Sequence, residues 1–384
     1  MQDTRFQKGS NTAKVWFLFV AGFVFYAAFM AMVEYWKNVA GLKQATIFIN
    51  TTPGATLSAG AIAAAIVLRY RRRHRREISQ ISAIMPPRLI LESGMHTSLI
   101  VGSSNAVYTN TGWAVAAGSG LLKGLALQFS AFVDHLLVRA KLKREPNPNK
   151  HQLDTWALRV AIIGIALIVW GKLDFSRASS IIGMLIVLLC AGVYAGAYAR
   201  RQYLAGTYRV LVNRLIAELK LTPAEAEAFS AIAEKWWFGL EQMACLLCSG
   251  GICSSVAVLY AYVFDQGEYL YFHPGVFFSG VPFGIMSYFA VSIMLADYRL
   301  AGEEEPASMK ARMVMTKGQG VVASLVGPIP TIWYFGLKGP SGWVIAGSLV
   351  VLLAVIIPFV PDFAGRIAAR IRRARGNTTA SASA

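Results

Sequence analysis

Long apolar runs alternate with short charged or Pro/Gly-containing segments along the chain, and this pattern predicts a set of membrane-spanning helices. A bilayer core of about 30 Å requires roughly 20 mainly apolar residues per helix. About ten windows meet this requirement, and they are 15–36, 53–69, 88–108, 112–138, 157–172, 178–199, 237–264, 274–296, 318–337 and 342–362. The first is too long for the apolar core of a signal peptide. The sequence therefore predicts an all-α, polytopic membrane protein.

The positions of the basic residues test this count independently, because lysine and arginine concentrate in the cytoplasmic loops of membrane proteins. Most of the 37 basic residues fall in alternate loops and in the two terminal segments. The other side carries only Lys37, Lys43, Lys172, Arg177 and Lys338. The alternation predicts cytoplasmic N- and C-termini. Since no retention signal or transit peptide is visible, a bacterial cytoplasmic (inner) membrane is the preferred location.

A long polar connection separates two groups of spans. In chain order, the predicted regions are a cytoplasmic stub (1–14), spans 1 to 6 (15–199), a cytoplasmic linker (200–236), spans 7 to 10 (237–362) and a basic, then disordered tail (363–384). Within the linker, apolar spacing over 203–221 predicts an amphipathic helix on the cytoplasmic face. Thr222, Pro223 and Glu225 are typical of a helix start with Thr222 as its N-cap. The tryptophans at 236–237 are expected to anchor span 7 at the membrane interface.

Composition excludes several classes of protein. Apolar residues make up 55% of the chain, charged residues only 15%, and the mean hydropathy is +0.49, which leaves too little charge for a soluble surface. The net charge of +17 is explained by membrane topology rather than by nucleic-acid binding, because the basic residues lie between apolar runs. The four cysteines lie in apolar segments and predict neither disulfides nor a metal site. No catalytic or nucleotide-binding motif is present, so neither an enzyme nor a cofactor is expected.

A few polar residues inside the predicted spans are candidates for a binding site. Lys123 lies near the middle of span 4, where a lysine costs about 2.5–3.5 kcal/mol on insertion scales and normally faces a partner or a watery cavity. Glu92 and His96 share one face of span 3, and they can pair with Lys123, relay protons or lie at the interface. Asn105 and Tyr108 make the outer part of span 3 polar enough to line a cavity or to serve as packing contacts.

Two features bear on internal organisation. Gly327, Pro328 and Pro330 interrupt span 9, and such a break either lines a transport pathway or is a plain packing kink. The segments GSGLL in span 4 and GQGVV in span 9 open similar stretches of sequence, as two inverted five-helix repeats would. The long connection after span 6 argues against such repeats, because they would join between spans 5 and 6. Both alternatives stay open at this point.

Three stretches resemble a known family. They are LLKGLALQFSAFVDHLLVRAKLKREPNPNKHQLDTWALRVAIIGIALIVWG, KLDFSRASSIIGMLIVLLCAGVYAGAYARRQYL and VVASLVGPIPTIWYFGLKGPSGWVIAGSLVVLLAVII. They are similar to the drug/metabolite transporter superfamily, in particular to nucleotide-sugar and triose-phosphate transporters. The resemblance implies ten helices in two inverted repeats and a substrate-contacting lysine in helix 4, here Lys123. Lys317 is the candidate basic residue of helix 9, although it lies several residues earlier than in phosphate-carrying members, and spans 1 to 3 show little likeness.

The sequence thus favours a secondary transporter that moves a small anionic organic molecule by alternating access. Its expected partners are that substrate and membrane lipid, and a homodimer is compatible with this interpretation. The alternative is a non-transporting membrane subunit of an envelope or polysaccharide assembly machine, with the linker as its docking surface. A membrane enzyme acting on lipid-linked substrates ranks last, because no catalytic pair is recognisable.

Overall fold

The chain folds into helices throughout its described part. The computed structural model describes residues 4–111, 148–171, 178–294, 322–323, 326–339 and 341–357. Among them are ten α-helices, one short 3-10 turn at Gly267–Tyr269 and no strand. The helices are α1 (Thr4–Asn38), α2 (Gln44–Arg73), α3 (Arg75–Ile84), α4 (Pro87–Thr111), α5 (Pro148–Trp170), α6 (Ala178–Glu218), α7 (Pro223–Val263), α8 (Pro274–Met294), α9 (Ile329–Phe335) and α10 (Gly342–Ile356). The predicted all-helical class is confirmed.

Four of these helices contain a segment long and apolar enough to cross a membrane. Within the described ranges these segments are Trp16–Asn38, Gln44–Arg73, Ile181–Glu218 and Ala228–Val263. Two shorter apolar helical segments are Arg159–Trp170 and Gly342–Ala354. By length and composition the chain therefore fits a membrane-embedded protein.

Helix α2 differs from the span predicted at 53–69. The helix begins at Gln44. Pro53 therefore lies inside it rather than at its start. An interior proline frees a carbonyl group, which is tolerated where neighbouring helices cover the backbone. Helix α2 packs against both α7 and α8, and Thr52 and Gly54 on either side of the proline are buried. Packing between two helices therefore explains why α2 continues through Pro53.

The predicted linker is not a separate element. Helix α6 continues without a break to Glu218, so the helical spacing over 203–221 belongs to its extension. The predicted start of α7 is confirmed: the Thr222 hydroxyl accepts a hydrogen bond from the Glu225 N–H, and the Glu225 carboxylate accepts one from the Thr222 N–H at 2.9 Å. The Thr222 hydroxyl also donates to this carboxylate at 2.7 Å, and this bond, together with the one from the Thr222 N–H, holds the pKa of the Glu225 carboxyl below its ordinary value. Residues 200–236 therefore form a helical hairpin.

This hairpin and α3 share a hydrophobic core of their own. Its buried members are Ile78, Ile81, Met85, Tyr208, Val212, Leu215, Phe229, Ala233, Trp236 and Trp237. The Tyr208 and Trp237 rings stack with centroids 4.5 Å apart, and the Tyr208 hydroxyl donates to the Ala233 carbonyl at 2.8 Å. The two tryptophans were expected at the membrane interface, but they are buried in this protein core. We call α3 together with residues 203–240 the cap.

The bundle consists of α1, α2, α4, α8, residues 178–202 of α6 and residues 241–263 of α7. Helix α1 packs on α8, α4 packs on α6 and α7, and α2 packs on α7 and α8, while α5 and α10 pack on each other. The α1–α8 pair is antiparallel, since Phe29 stacks on Phe283 and Trp36 bonds to Ser279. We call the end of the bundle next to the cap the basic end, and the opposite end the far end.

Glycines allow the closest helix contacts in the bundle. A methyl group added at Gly280 of α8 would lie 2.1 Å from the Thr51 carbonyl oxygen of α2, and one at Gly54 would lie 2.1 Å from the Phe277 carbonyl oxygen. Helices in lipid associate through such backbone contacts between small residues, because burial of apolar surface drives little association there. The α2–α8 contact therefore depends on the absence of side chains at these two positions.

Candidate functional site

Buried polar side chains mark the candidate site. They concentrate on α2 (Thr46, Asn50, Thr51, Thr52, Thr56) and α4 (Ser93, Thr97, Ser98, Ser103, Ser104, Asn105, Thr109). Two carboxylates, Glu34 of α1 and Glu241 of α7, are fully buried as well. Because a buried polar group is costly unless it has partners, such a concentration indicates a specified network. The network has one part at the basic end and one in the far half of the bundle.

At the basic end, Glu241 joins three helices. Arg201 of α6 donates from Nε to Glu241 Oε1 at 2.8 Å and from Nη2 to Oε2 at 2.6 Å, a bidentate ion pair. The Ser93 hydroxyl of α4 donates to the same carboxylate. Glu241 is fully buried, whereas the Arg201 side chain keeps 26% of its surface exposed. The charge-assisted bonds offset the desolvation of the carboxylate and hold α4, α6 and α7 together here.

Glu92 and His96, which the sequence proposed as substrate-binding residues, lie at this same end. Glu92 pairs with Arg200 of α6 through bonds of 2.8 and 2.6 Å, at a half-exposed position. His96 Nδ1 lies 2.7 Å from the Glu92 carbonyl oxygen, one helical turn away, so the predicted shared face is present. Both side chains are partly exposed, which places them at the edge of the bundle rather than in its interior.

Asn105 and Tyr108, the other two candidates on α4, lie in the interior of the far half. The Asn105 amide donates to Thr52 Oγ1 of α2 at 2.9 Å. The Tyr108 hydroxyl is hydrogen-bonded to the hydroxyl of Tyr26 of α1. Within the described part of the chain, the Asn105 carbonyl oxygen Oδ1 is buried and has no hydrogen-bond partner. Asn105 lies roughly 20 Å along α4 from Glu92 at 1.5 Å per residue, and Tyr108 lies about one turn further.

Aromatic rings surround the Tyr26–Tyr108 pair. Phe29 of α1 and Phe283 of α8 stack with centroids 4.8 Å apart, and each lies 6.3 Å from the Tyr108 ring. Tyr26 lies 5.9 Å from Phe283. Aromatic ring faces beside a few hydrogen-bonding groups are a combination that small-molecule sites also use.

Several hydrogen bonds between neutral groups join helices at the far end. Asn50 of α2 donates to the Tyr271 carbonyl at 2.9 Å and accepts from the His273 N–H at 2.9 Å. The Trp36 indole donates to the Ser279 hydroxyl at 2.7 Å. The first two bonds join α2 to the segment that leads into α8, and the third joins α1 to α8 itself. The ion pairs Glu92–Arg200 and Glu241–Arg201 thus lie at the basic end, whereas these three bonds at the far end join neutral groups.

The remaining candidates fall on span 9 or outside the described residues. Gly327 packs directly on α1: a methyl group there would lie 2.7 Å from the Ala27 carbonyl oxygen. Pro328 precedes α9 as its N-cap residue, and Pro330 lies in the first turn of that helix. Contact with α1 supports the packing role for this break. Lys123 and Lys317 both lie outside the described residues.

Sequence reasoning missed Glu34 and Glu241. Both are acidic residues inside predicted windows, 15–36 and 237–264, so the rule that singled out Lys123 applies to them equally. Glu34 accepts a hydrogen bond from the Asn38 amide one turn away. Arg201 was missed for a different reason, because it lies just beyond span 6 among residues that look like an ordinary cytoplasmic loop. Only the fold shows that Arg201 reaches Glu241.

No group of three or more His, Cys, Asp or Glu residues suited to a metal ion occurs in the ranges that the structure describes. Cys190, Cys245, Cys248 and Cys253 are free thiols. The chain matches no protein-family model and no curated protein. The resemblance to drug/metabolite transporters therefore rests on the quoted sequence stretches alone.

Proposed function

We propose that the protein is a secondary transporter built from two inverted five-helix halves, which moves a small anionic organic molecule by alternating access. The observation that carries this proposal is the set of helix pairs in the bundle together with the α5–α10 pair. Numbered by the predicted spans, α1, α2, α4 and α5 are spans 1, 2, 3 and 5, and α6, α7, α8 and α10 are spans 6, 7, 8 and 10.

An exchange of the two halves maps these pairs onto one another. In this exchange each span is replaced by the span five positions away. The α1–α8 pair then becomes the α6–α4 pair, and the α2–α8 pair becomes the α7–α4 pair. The α2–α7 and α5–α10 pairs are unchanged. The α5–α10 crossing is itself reciprocal, since a methyl group at Gly164 would lie 2.8 Å from the Gly347 carbonyl oxygen and one at Gly347 would lie 2.6 Å from that of Gly164. Two inverted repeats produce this arrangement. The long connection after span 6 is compatible with it, because α6 and α7 continue into the cap.

Alternating access requires contacts between the halves to break at one end while those at the other hold. At the basic end these contacts are the Glu92–Arg200 ion pair and the bond from the Ser93 hydroxyl of α4 to the Glu241 carboxylate of α7. At the far end they include the Trp36–Ser279 bond and the bonds of Asn50 to the segment before α8. We assign the substrate site to the region around Asn105 and Tyr108, between these two sets. Lys123, which the family resemblance implicates, supplies the positive charge that selects an anion.

The proposed orientation follows from the distribution of basic residues, which also predicted cytoplasmic termini from the sequence. Arginines concentrate at the basic end, on the cap and at the end of α2, and positive residues favour the cytoplasmic side. We therefore place the cap and both termini in the cytoplasm, and we favour a bacterial inner membrane.

The transporter proposal is tested by ligand-dependent stability and by transport. Purified protein is heated with sugar phosphates, nucleotide sugars, dicarboxylates, amino acids and organic cations, since a saturating ligand raises the melting temperature by mass action. Any hit is then tested for counterflow in proteoliposomes. Lys123→Ala and Asn105→Ala should abolish the response to an anionic hit, while the matched controls Lys220→Ala and Asn213→Ala, both exposed on the cap, should keep it. Counterflow that persists in Lys123→Ala, or a response to cations only, contradicts the assigned site and substrate class.

Access from both sides is tested with single cysteines in a variant whose four native cysteines are replaced by serine. Cysteines at Ser93, near the basic end, and at Ser279, near the far end, are labelled with a membrane-impermeant maleimide from either side. A substrate that drives alternating access should raise labelling at one position and lower it at the other. Equal changes at both positions would contradict rocking of two halves.

The alternative, a subunit of an assembly machine that docks through the linker, has less support. The apolar residues of the linker, among them Tyr208, Val212 and Leu215, already pack inside the cap. The linker therefore offers little free apolar surface for a partner protein. A partner that co-purifies in a fixed ratio, together with silence across the ligand panel, would favour this alternative.

A further inference from the structure

The corner between α2 and α3 carries an unusual density of arginine. Helix α2 ends at Arg73, His74 breaks the helical backbone with φ −127° and ψ 48°, and α3 begins at Arg75. Every arginine of this segment is exposed, and the set is Arg69, Arg71, Arg72, Arg73, Arg75 and Arg76. We call these six residues the arginine corner.

The arginine corner differs from three arginines of α6 at the same end of the molecule. Arg200, Arg201 and Arg209 each pair with a glutamate of the chain. Within the residues that the structure describes, no ion pair involves any arginine of the corner. Six guanidinium groups in such a short segment repel one another unless anions from outside the chain balance them.

The corner lies where the apolar surface of α2 ends. Leu68 is 56% exposed, and Arg69 follows it directly. An exposed leucine on a membrane-embedded helix faces lipid, so the next turn reaches the depth of the lipid phosphates. On the other side of the corner, Ile78 and Ile81 of α3 pack into the cap and fix the direction of that helix. The six arginines therefore lie between the exposed apolar surface of α2 and a short helix that is fixed against the cap.

From this position, charge and exposure we infer that the arginine corner is a binding surface for the phosphate groups of anionic membrane lipids. Planar guanidinium groups match phosphate oxygens through paired hydrogen bonds, so arginine suits this ligand better than lysine does. Clusters of basic residues directly next to a membrane helix bind acidic headgroups in this way. The inference rests on the membrane embedding of α2 and does not depend on the transported substrate.

The test uses purified full-length protein in a neutral detergent, titrated with phosphatidylglycerol, phosphatidylcholine or inorganic phosphate. Stability is followed by the melting temperature, and bound lipids are counted by native mass spectrometry. Arg72→Gln combined with Arg75→Gln removes two charges from the corner. The matched control, Arg214→Gln combined with Lys220→Gln, removes two exposed charges from the cap at the same end of the molecule.

Phosphatidylglycerol should stabilise the wild-type protein and phosphatidylcholine should not. The corner variant should raise the apparent Kd for phosphatidylglycerol by about tenfold to thirtyfold, and the control should leave it within about twofold. Equal stabilisation of the wild-type protein by the two lipids would overturn the inference, and this comparison needs no variant. Equal weakening by both variants would assign the effect to net charge, and stabilisation by inorganic phosphate alone would assign the corner to free anions.

Discussion

The cap and the bundle are stabilised in different ways, although α6 and α7 run through both. The cap buries large apolar and aromatic side chains such as Ile81 and Trp237, as a water-soluble domain does. In the bundle, the α2–α8 contact is made by backbone atoms at Gly54 and Gly280, and polar side chains bond across helices. The bundle also buries aromatic side chains such as Phe29 and Phe48, so its close backbone contacts and polar bonds come in addition to apolar burial. Such contacts matter most for helices in lipid, where apolar burial drives little association.

Two ion pairs between α6 and α7 also differ between the bundle and the cap, in how far they are buried. Arg201–Glu241, in the bundle, has a fully buried carboxylate, whereas Arg209–Glu234, in the cap, leaves half of the arginine exposed. Exposed pairs contribute little because water and salt screen them. A buried pair contributes mainly through the penalty of leaving one charge alone. These two pairs therefore provide a direct test of how the regions differ.

The largest effect is expected for Arg201→Ala, which leaves the buried Glu241 carboxylate without its counter-charge. The expected loss of stability is about 3–5 kcal/mol. Arg209→Ala, the same change in the cap pair, should cost less than about 1 kcal/mol. Thermal unfolding of both variants in the same detergent measures the contrast. Combining Arg201→Met with Glu241→Leu should recover most of the loss, because it removes both charges. Similar midpoints for the two single variants would contradict the assigned difference between the regions.

A somewhat smaller effect is expected for Gly280→Ala in the bundle. The new methyl group would lie 2.1 Å from the Thr51 carbonyl oxygen, so α2 and α8 must move apart, at a cost of about 3 kcal/mol. Gly206→Ala in the cap segment of α6 has open space around it and should be neutral or stabilising by about 0.5–1 kcal/mol. Thermal unfolding compares the two variants. Equal stability would show that the bundle does not depend on close helix approach.

The smallest effect on the whole molecule is expected for Ile81→Ala, which leaves a cavity in the core of the cap. The cost is about 2–3 kcal/mol, reduced from larger values because the short helix α3 can move inward. Hydrogen exchange should rise in α3 and in residues 203–240 and stay unchanged in the α2–α8 contact, as separate cooperative units would behave. The control is Ser79→Ala, an exposed position on the same helix. Faster exchange in both regions would mean that cap and bundle unfold together.

Parts of this structure could be predicted because the responsible interactions are local. The N-cap at Thr222 depends on residues three apart in the chain. Helix α4 could be predicted because its own sequence favours a helix. The partners of Asn105 and Tyr108 could not be predicted, since Thr52 and Tyr26 belong to other helices. The extension of α6 to Glu218 was also missed, because hydropathy ends a span where polar residues begin, although a helix can continue through them.

By itself, the sequence determined the helical class, the apolar windows that suit a bilayer and the uneven distribution of basic residues, because these depend on composition and on spacing within one helix. The tertiary structure decided which charges meet. It paired Glu92 with Arg200 and Glu241 with Arg201, and it left the arginine corner without glutamate partners in the described part of the chain. Such pairings require helices distant in sequence to pack side by side. The pattern along one helix does not contain that information, because it does not specify which neighbour each face will contact.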